Sequence, residues 1–178
     1  MKENKYYLVG MPASGKSSIG KLLAAQLGFD FFDLDQVIIQ REQTSIAEIF
    51  SKKGEAYFRD IERKYLLELI NKEGGFVLAT GGGAPCFFNN MAAMNKSGIT
   101  IFLNVALEDL FNKLSKKGTH KRPLLKDKTK DELYEELASK LEERIKFYEQ
   151  AKIKLDQRFA EIRDRVNQVI FAIKSLEE

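Results

Sequence analysis

The chain carries, at positions 10 to 17, the sequence Gly10-Met11-Pro12-Ala13-Ser14-Gly15-Lys16-Ser17, which follows the pattern G-x-x-x-x-G-K-[ST]. Aromatic and β-branched residues from 5 to 9 predict a buried strand ahead of it. Behind it, apolar residues recur at helical spacing from Ile19 to Leu27, and Gly28 is a typical helix stop. Backbone N–H groups of such a loop and of the first helical turn converge on phosphate oxygens. The segment therefore predicts a nucleoside triphosphate site between a strand and a helix.

Two side chains of this segment extend the prediction. Lys16 would bring a mobile positive charge to the β- and γ-phosphates, and the Ser17 hydroxyl would ligate Mg²⁺ beside them. The alternative is a glycine-rich turn that binds nothing, and the predicted strand and helix on either side argue against it.

Five strand-like runs, at residues 6–10, 29–32, 76–80, 100–105 and 153–156, alternate with helix-like segments. This alternation favours a parallel sheet covered by helices on both faces. We therefore predict an α/β fold with three α/β/α layers and a five-stranded parallel sheet. The predicted helices cover residues 16–27, 36–41, 46–53, 54–72, 89–96, 106–114, 130–151 and 156–176.

The composition fits one globular domain over residues 1–178. Of its 178 residues, 44% are hydrophobic, which is enough for a single core. The 29 Lys and Arg against 26 Asp and Glu give a net charge of +3, too small to indicate nucleic-acid binding. Cys86 and His120 are the only residues of their types, so the sequence offers no disulfide framework and no His/Cys zinc site. Any metal should have oxygen ligands.

The start of the chain enters the first predicted strand without the apolar stretch of a secretory signal. The sequence also contains no apolar run approaching the ~20 residues that a membrane span needs. We therefore expect a cytoplasmic protein. Its expected partners are small molecules, with no nucleic acid and no membrane, and we expect it to be a monomer.

Two carboxylates follow the second predicted strand, in the sequence Asp33-Leu34-Asp35. They would emerge at the carboxyl end of the sheet, where ligands of open α/β folds bind. Alternation along an extended segment would aim both to the same side, so that one holds a water on Mg²⁺ and the other accepts a proton from an attacking hydroxyl. Alternatively, Asp35 only caps a helix that begins at Gln36.

A glycine triplet and two arginines complete the candidate site. Gly81, Gly82 and Gly83 follow the third strand and would let a ligand lie against backbone N–H groups, unless they form only a flexible turn. Arg59 would bind a carboxylate bidentately, or else pair with a glutamate one helical turn away. Arg144 likewise would either bind a carboxylate or lie on a solvated helix face.

Two segments are unlike the core. Residues 115–122, with the sequence SKKGTHKR, are polar, basic and interrupted by glycine, which is typical of a surface loop. A basic loop near a triphosphate suggests a lid, and the alternative is a solvated loop with surplus lysines. Residues 36–64 are rich in charge and longer than a minimal crossover, which suggests an inserted substrate-binding subdomain.

Taken together, in this order and spacing, these motifs resemble the shikimate kinase family, small P-loop NTPases with a nucleoside-monophosphate-kinase-like fold. The match covers nearly the whole chain. The P-loop alone is shared with many unrelated NTPases, but the combination is specific. It comprises residues 10–17, 32–35 (FDLD), 54–62 (GEAYFRDIE), 78–83 (LATGGG), 122–125 (RPLL) and 143–148 (ERIKFY).

The resemblance implies that ATP phosphorylates the 3-hydroxyl of shikimate, giving shikimate 3-phosphate and ADP within chorismate and aromatic amino-acid biosynthesis. It implies that Lys16 and the loop amides bind the phosphates. Mg²⁺, the implied cofactor, would be bound by Ser17 and, through water, by Asp33. Asp35 would bind the shikimate hydroxyls and orient or deprotonate the attacking one.

The resemblance also implies that Arg59 and Arg144 bind the shikimate carboxylate, and that Arg122 closes over the nucleotide on a lid at about residues 115–127. The substrate-binding subdomain would span about residues 35–64. The predicted catalytic residues are Asp35, Lys16 and Arg122. The predicted ATP-binding residues are Gly10, Met11, Pro12, Ala13, Ser14, Gly15, Lys16, Ser17, Ser18 and Arg122. The predicted substrate-binding residues are Asp35, Arg59, Gly81, Gly82, Gly83 and Arg144, and the predicted metal-binding residues are Ser17 and Asp33.

Some positions depart from the family pattern. Ala13 stands where many relatives have another glycine, although the general P-loop pattern does not require one. Lys116 and Lys117 lie near where relatives often place an arginine over the adenine, and residues 157–159 have no clear match. The adenine contacts are therefore not assigned. We interpret Cys86 as a packing residue and His120 as an exposed loop residue.

Two other functions remain as alternatives. One is a gluconate-type or nucleotide-type kinase, which would use its own acceptor and not shikimate. The other is a nucleotide-binding protein without transfer activity. The presence of Asp35 and Arg122 argues against the second, because ATP binding alone requires neither.

Overall fold

The computed structural model describes residues 4–116, 129–156 and 161–177. Within these residues the chain forms five strands, which pair in parallel in a single sheet. The predicted α/β class and the five-stranded parallel sheet are thereby confirmed. The strands are β1 (Lys5–Val9), β2 (Asp30–Asp33), β3 (Phe76–Ala79), β4 (Ile99–Asn104) and β5 (Ile153–Asp156). Their order across the sheet is β2-β3-β1-β4-β5.

Helices connect the strands along the described chain. They are α1 (Lys16–Leu27), α2 (Leu34–Glu42), α3 (Ile46–Ile70), α4 (Asn90–Ser97), α5 (Leu107–Lys116), α6 (Lys130–Tyr148) and α7 (Ile162–Glu177), with a 3₁₀ turn at Ala84–Cys86. One predicted boundary was wrong: the last helix begins at Ile162 and not at residue 156, because Asp156 still belongs to β5. The helices predicted at 46–53 and 54–72 are two helical stretches that meet at Gly54, whose φ and ψ are not helical, and α3 denotes both together.

Neighbouring residues of β1 point to opposite faces of the sheet, as the period of a strand requires. Tyr6 and Leu8 pack in one core cluster with residues of α1 and α7. Tyr7 and Val9 pack in a second cluster with residues of α2 to α6. The sheet is therefore covered on both sides, which gives the three layers and explains why β1 is apolar throughout.

The strand order reverses beside β1, which lies between β3 and β4. Ligands of open α/β sheets bind outside the carboxyl ends of the strands at such a point. The end of β3 is fastened to β1 there, because Thr80 donates two hydrogen bonds to the carbonyl of Leu8, from its backbone N at 3.1 Å and its hydroxyl at 3.0 Å. The loops that follow β1 and β3 are thus held side by side.

No helix among the described residues combines the length and the apolar character that a bilayer crossing requires.

Candidate active site

The loop between β1 and α1 bends through left-handed backbone conformations. Gly10 has φ +139°, and a Cβ there would lie 2.9 Å from the carbonyl oxygen of Leu103. Gly15, at φ +101°, precedes α1, and no described side chain caps that helix. The N–H groups of the first turn are therefore open to a ligand. Ala13 also has a positive φ of 67°, which accounts physically for the glycine in relatives, because an alanine there is strained.

Lys16 lies across this loop with a buried side chain. Its Nζ donates hydrogen bonds of 2.9 Å to the carbonyls of Gly10 and Met11. The ammonium group is thus held within the loop whose amides are expected to bind phosphate, as the sequence predicts for a P-loop lysine.

Ser17 and Asp33 join the end of β2 to the start of α1. The Ser17 hydroxyl donates to Oδ2 of Asp33 at 2.5 Å, and Oδ1 of Asp33 accepts from the backbone N of Gln36 at 3.4 Å. A cavity of about 350 Å³ lies beside both side chains, with Lys21 also in its lining. Hydroxyl and carboxylate oxygens are hard ligands that suit Mg²⁺, so this pair fits the metal predicted from the sequence.

Asp35 reaches the site by a route that differs from the prediction. Helix α2 begins at Leu34, so Asp35 lies in its first turn and not on an extended segment. Asp33 is the N-cap of that helix, whereas the sequence alternative gave the cap to Asp35. Oδ1 of Asp35 nevertheless lies 3.0 Å from the position that a Cβ on Gly81 would occupy. The direction of the Asp35 side chain toward Gly81 is therefore set by the first turn of α2, and not by alternation along a strand.

The glycine triplet is the point where the other predicted substrate residues meet. A Cβ on Gly82 would lie 3.3 Å from Nη1 of Arg144 and 2.9 Å from Cδ of Pro12 in the P-loop. A Cβ on Gly83 would lie 2.7 Å from Nη2 of Arg59. A side chain at these positions would displace a functional group, so the triplet serves close approach and is more than a flexible turn.

Arg59 forms ion pairs with glutamates one helical turn away, which is one of the two alternatives that the sequence left open, and it also faces the glycine triplet. Its Nη1 donates to Glu62 at 2.7 Å, and its Nη2 and Nε donate to Glu55 at 3.1 and 3.2 Å. The guanidinium lies 4.2 Å from the ring centroid of Phe87. These contacts fix one orientation of a buried cation.

Glu62 is a site residue that the sequence analysis did not predict. Its side chain is buried, and a Cβ on Gly81 would lie 2.9 Å from its Oε1. Burial raises the pKa of Glu62 to about 6, against the opposing attraction of Arg59, and the nearby Asp35 raises it further. The only signal available was its position three residues after Arg59, and helical spacing does not show burial.

Tyr148 is a second site residue that was not predicted from the sequence, although it ends the motif ERIKFY at residues 143–148. It is one helical turn after Arg144 on α6, so both side chains extend from one face of the helix. Its hydroxyl donates to the carbonyl of Gly82 at 2.6 Å and lies 3.8 Å from Sδ of Met11. Tyr148 therefore connects the glycine triplet to the P-loop.

Burial raises the pKa of the Cys86 thiol to about 11, so it stays protonated at neutral pH and fits the packing role. Arg122, His120 and most of the predicted lid lie outside the described residues. A larger cavity of about 520 Å³ lies between β5 and α7, away from the residues discussed above.

Comparisons with known proteins show the family of this chain. A model of the shikimate kinase family matches residues 12–174. A shikimate kinase of Parabacteroides distasonis is 43% identical over 152 residues, which cover 85% of this chain and 87% of that protein. The crystal structure of shikimate kinase from Bacteroides thetaiotaomicron has a TM-score of 0.89 at 36% identity and covers 96% of this chain and 98% of that chain. Shikimate kinase from Acinetobacter baumannii in complex with shikimate has a TM-score of 0.88 at 31% identity and covers 97% and 94%. This chain belongs to the shikimate kinase family.

Proposed function

We propose that this chain transfers the γ-phosphoryl group of ATP to the 3-hydroxyl of shikimate, giving shikimate 3-phosphate and ADP. The observation that supports this most directly is the convergence of Asp35, Arg59 and Arg144 on a glycine triplet that the P-loop contacts through Pro12. Two guanidinium groups suit an acceptor with a carboxylate, and an aspartate suits its hydroxyls. The relative solved with shikimate supports the identity of that acceptor.

The nucleotide would bind at the P-loop, through residues Gly10 to Ser18. The open amides at the start of α1 would bind phosphate oxygens, with the helix dipole adding to the attraction. The Lys16 ammonium, which now donates to the carbonyls of Gly10 and Met11, would exchange those partners for the β- and γ-phosphates. Lys16 thus supplies positive charge where negative charge accumulates during transfer.

We propose Mg²⁺ as the cofactor on the basis of the oxygen pair of Ser17 and Asp33. When bound, Mg²⁺ would neutralise charge on the β- and γ-phosphate oxygens. The Ser17 hydroxyl would be a direct ligand, while Asp33 would reach the metal through water. Both side chains already contact one another at the end of β2.

The acceptor would lie against the glycine triplet. Arg59 and Arg144 would bind its carboxylate, and Asp35 would accept a hydrogen bond from the attacking hydroxyl, orienting or deprotonating it. Residues 35–64, which include nearly all of α2 and most of α3, would be the substrate-binding subdomain, and Arg122 would act from a lid at about 115–127. A cytoplasmic location and a monomeric state stay predictions.

Release of ADP in the presence of Mg²⁺, measured with and without shikimate, tests the function. We expect ADP release that depends on shikimate in the wild type. In Asp35→Asn, turnover should fall by at least about 100-fold, because a positioned acid–base group contributes roughly that much. ATP affinity should change less than about twofold, because Asp35 lies at the acceptor side. Asp60→Asn, at an exposed position of α3, is the matched control.

Three results would contradict the proposal or a part of it. ADP release that requires gluconate or a nucleoside monophosphate, and not shikimate, would identify the chain as another small-molecule kinase. Nucleotide binding without transfer to any of these acceptors would indicate a protein that binds ATP only. Full turnover by Asp35→Asn would remove the role given to this carboxylate.

A further inference from the structure

Arg165, in the first turn of α7, contacts the P-loop and has no part in the reaction described above. Its Nη2 donates a hydrogen bond of 2.7 Å to the carbonyl of Ser14. Its guanidinium also lies against Gly15, where a Cβ would be 3.2 Å from Nη1 and 3.4 Å from Nη2. The two residues in hydrogen-bond contact are 151 positions apart in sequence.

We infer that Arg165 is a positioning residue for nucleotide binding, because its guanidinium holds the Ser14 carbonyl and thereby directs the adjacent Gly15 amide toward the phosphates. The inference rests on the proposed function only in requiring that the P-loop binds a nucleotide.

The effect of Arg165 on Gly15 follows from the planarity of the peptide bond between Ser14 and Gly15. The carbonyl of Ser14 and the N–H of Gly15 belong to one trans peptide unit, so they point in opposite directions. A partner that fixes the carbonyl on one side of the loop fixes the amide on the other. Gly15 is a residue whose backbone tolerates both orientations of that unit, since glycine populates positive and negative φ almost equally. An external anchor is therefore needed to select one of them.

The Ser14 side chain does not provide this anchor. Its hydroxyl is buried, and among residues 4–116, 129–156 and 161–177 it has no hydrogen-bond partner. The backbone N of Ser14 donates to the carbonyl of Met11 at 3.2 Å, which closes a turn before the peptide unit in question. The carbonyl of Ser14, which accepts the hydrogen bond from Arg165, is thus the group through which α7 fixes the orientation of this peptide unit.

The position of Arg165 follows from helix packing. The neighbouring Val166 and Val169 pack on the same face of the sheet as Ile19 and Leu23 of α1. This packing brings the first turn of α7 beside the first turn of α1. A cation there adds to the positive end of the α1 dipole, and a hydrogen bond from a charged donor is stronger than a neutral one.

If Arg165 only joined α7 to the loop, its replacement would lower the stability of the protein but would not specifically weaken nucleotide binding. Arg165→Gln removes the charge, Arg165→Lys keeps it without the planar fork, and Arg163→Gln removes an exposed arginine from the same turn as the control. The probe is MgADP, titrated into the whole protein without shikimate by calorimetry, together with thermal melts of each variant.

We expect Arg165→Gln to weaken MgADP binding about tenfold, which is the scale of one hydrogen bond from a charged group. Arg165→Lys should weaken it about threefold, and Arg163→Gln by less than about twofold. In steady-state assays the KM for ATP should rise in Arg165→Gln while the KM for shikimate stays within about twofold.

Wild-type affinity of Arg165→Gln for MgADP would overturn the inference, and so would equal rises of the KM values for ATP and shikimate. If Arg165→Gln does not fold, Arg165→Lys becomes the test variant. An affinity of Arg165→Lys for MgADP equal to that of the wild type would then overturn the inference. Because the titration contains no shikimate, it remains valid if the wild type fails to phosphorylate shikimate, a result that would refute the proposed function alone.

Discussion

Glu62 lies beside the glycine triplet in an ion pair with Arg59 that is almost completely removed from water. The side chains of Glu62 and Arg59 are 1% and 10% exposed, and their closest atoms are 2.7 Å apart. Burying both charges costs about as much as their attraction returns, so such a pair adds little net stability, whereas loss of one partner leaves a costly buried charge. We interpret Glu62 as the group that keeps Arg59 directed at the glycine triplet.

The raised pKa of Glu62 predicts a pH dependence of stability. Its pKa is 4.5 ordinarily and about 6 in the folded chain, with burial as the first cause. The folded state therefore favours the protonated carboxyl, so this stabilisation is complete below about pH 4.5 and is lost as the pH rises through about 6. The difference between the two pKa values corresponds to roughly 2 kcal/mol.

Glu62→Gln should remove this dependence. Urea unfolding between pH 4.5 and 7.5 should show that the free energy of unfolding of the wild type, relative to that of the variant, falls by ~2 kcal/mol. Glu55→Gln, which removes the more exposed partner of the same arginine, is the control. A difference between wild type and Glu62→Gln that stays constant with pH would show that Glu62 does not titrate in this range.

Among the elements, helix α3 changes direction at a single residue. Its kink lies at Gly54, with φ 79° and ψ 173°, a combination that only glycine adopts readily. The sequence correctly predicted that one helix ends and another begins at this residue. In the structure the part of α3 after Gly54 carries Arg59 and Glu62 to the site. The bend in α3 therefore determines where Arg59 lies, the arginine that we propose binds the carboxylate of the acceptor.

Gly54→Ala should lower the free energy of unfolding by about 1–3 kcal/mol and raise the KM for shikimate. Among the described residues, and apart from the adjoining backbone, no heavy atom lies within 4 Å of a Cβ built at Gly54, so the cost arises from the backbone conformation. Gly28→Ala is the matched control, because Gly28 also has a positive φ, of 69°, and open space around it, at the far end of α1. Chemical unfolding and steady-state kinetics should show stability loss in both variants but a change in KM only in Gly54→Ala.

In the molecule as a whole, the proposed nucleotide side and the proposed acceptor side are loops that follow neighbouring strands. The register of β1 against β3 pairs Leu8 with Ala79, so the P-loop and the glycine triplet begin at the same level of the sheet. Helix α6, from the other end of the chain, then adds Arg144 and Tyr148. Burial raises the pKa of Tyr148, so its hydroxyl remains protonated and donates to Gly82.

Tyr148→Phe should disturb the alignment of the two sides. Loss of the hydroxyl leaves the Gly82 carbonyl without this donor, at a cost of about 1–3 kcal/mol. We expect kcat to fall by about tenfold with smaller changes in both KM values, because misalignment affects transfer more than binding. Tyr134→Phe, on an exposed part of the same helix, should leave kinetics unchanged. A normal kcat in Tyr148→Phe would show that the hydroxyl is not required for alignment.

Local patterns along the chain were enough to predict the parallel α/β fold, the P-loop and the family, because strand and helix periods and glycine spacing act over a few neighbouring residues. Tertiary structure decided the rest. The resemblance implied that Arg59 would bind substrate, but only packing shows that it also pairs with Glu62 in a buried site. Helix capping by Asp33, and not strand alternation, directs Asp35. The contacts of Arg165 and Tyr148 join residues far apart in sequence, and such contacts leave no periodic pattern, because they depend on how helices pack on the sheet.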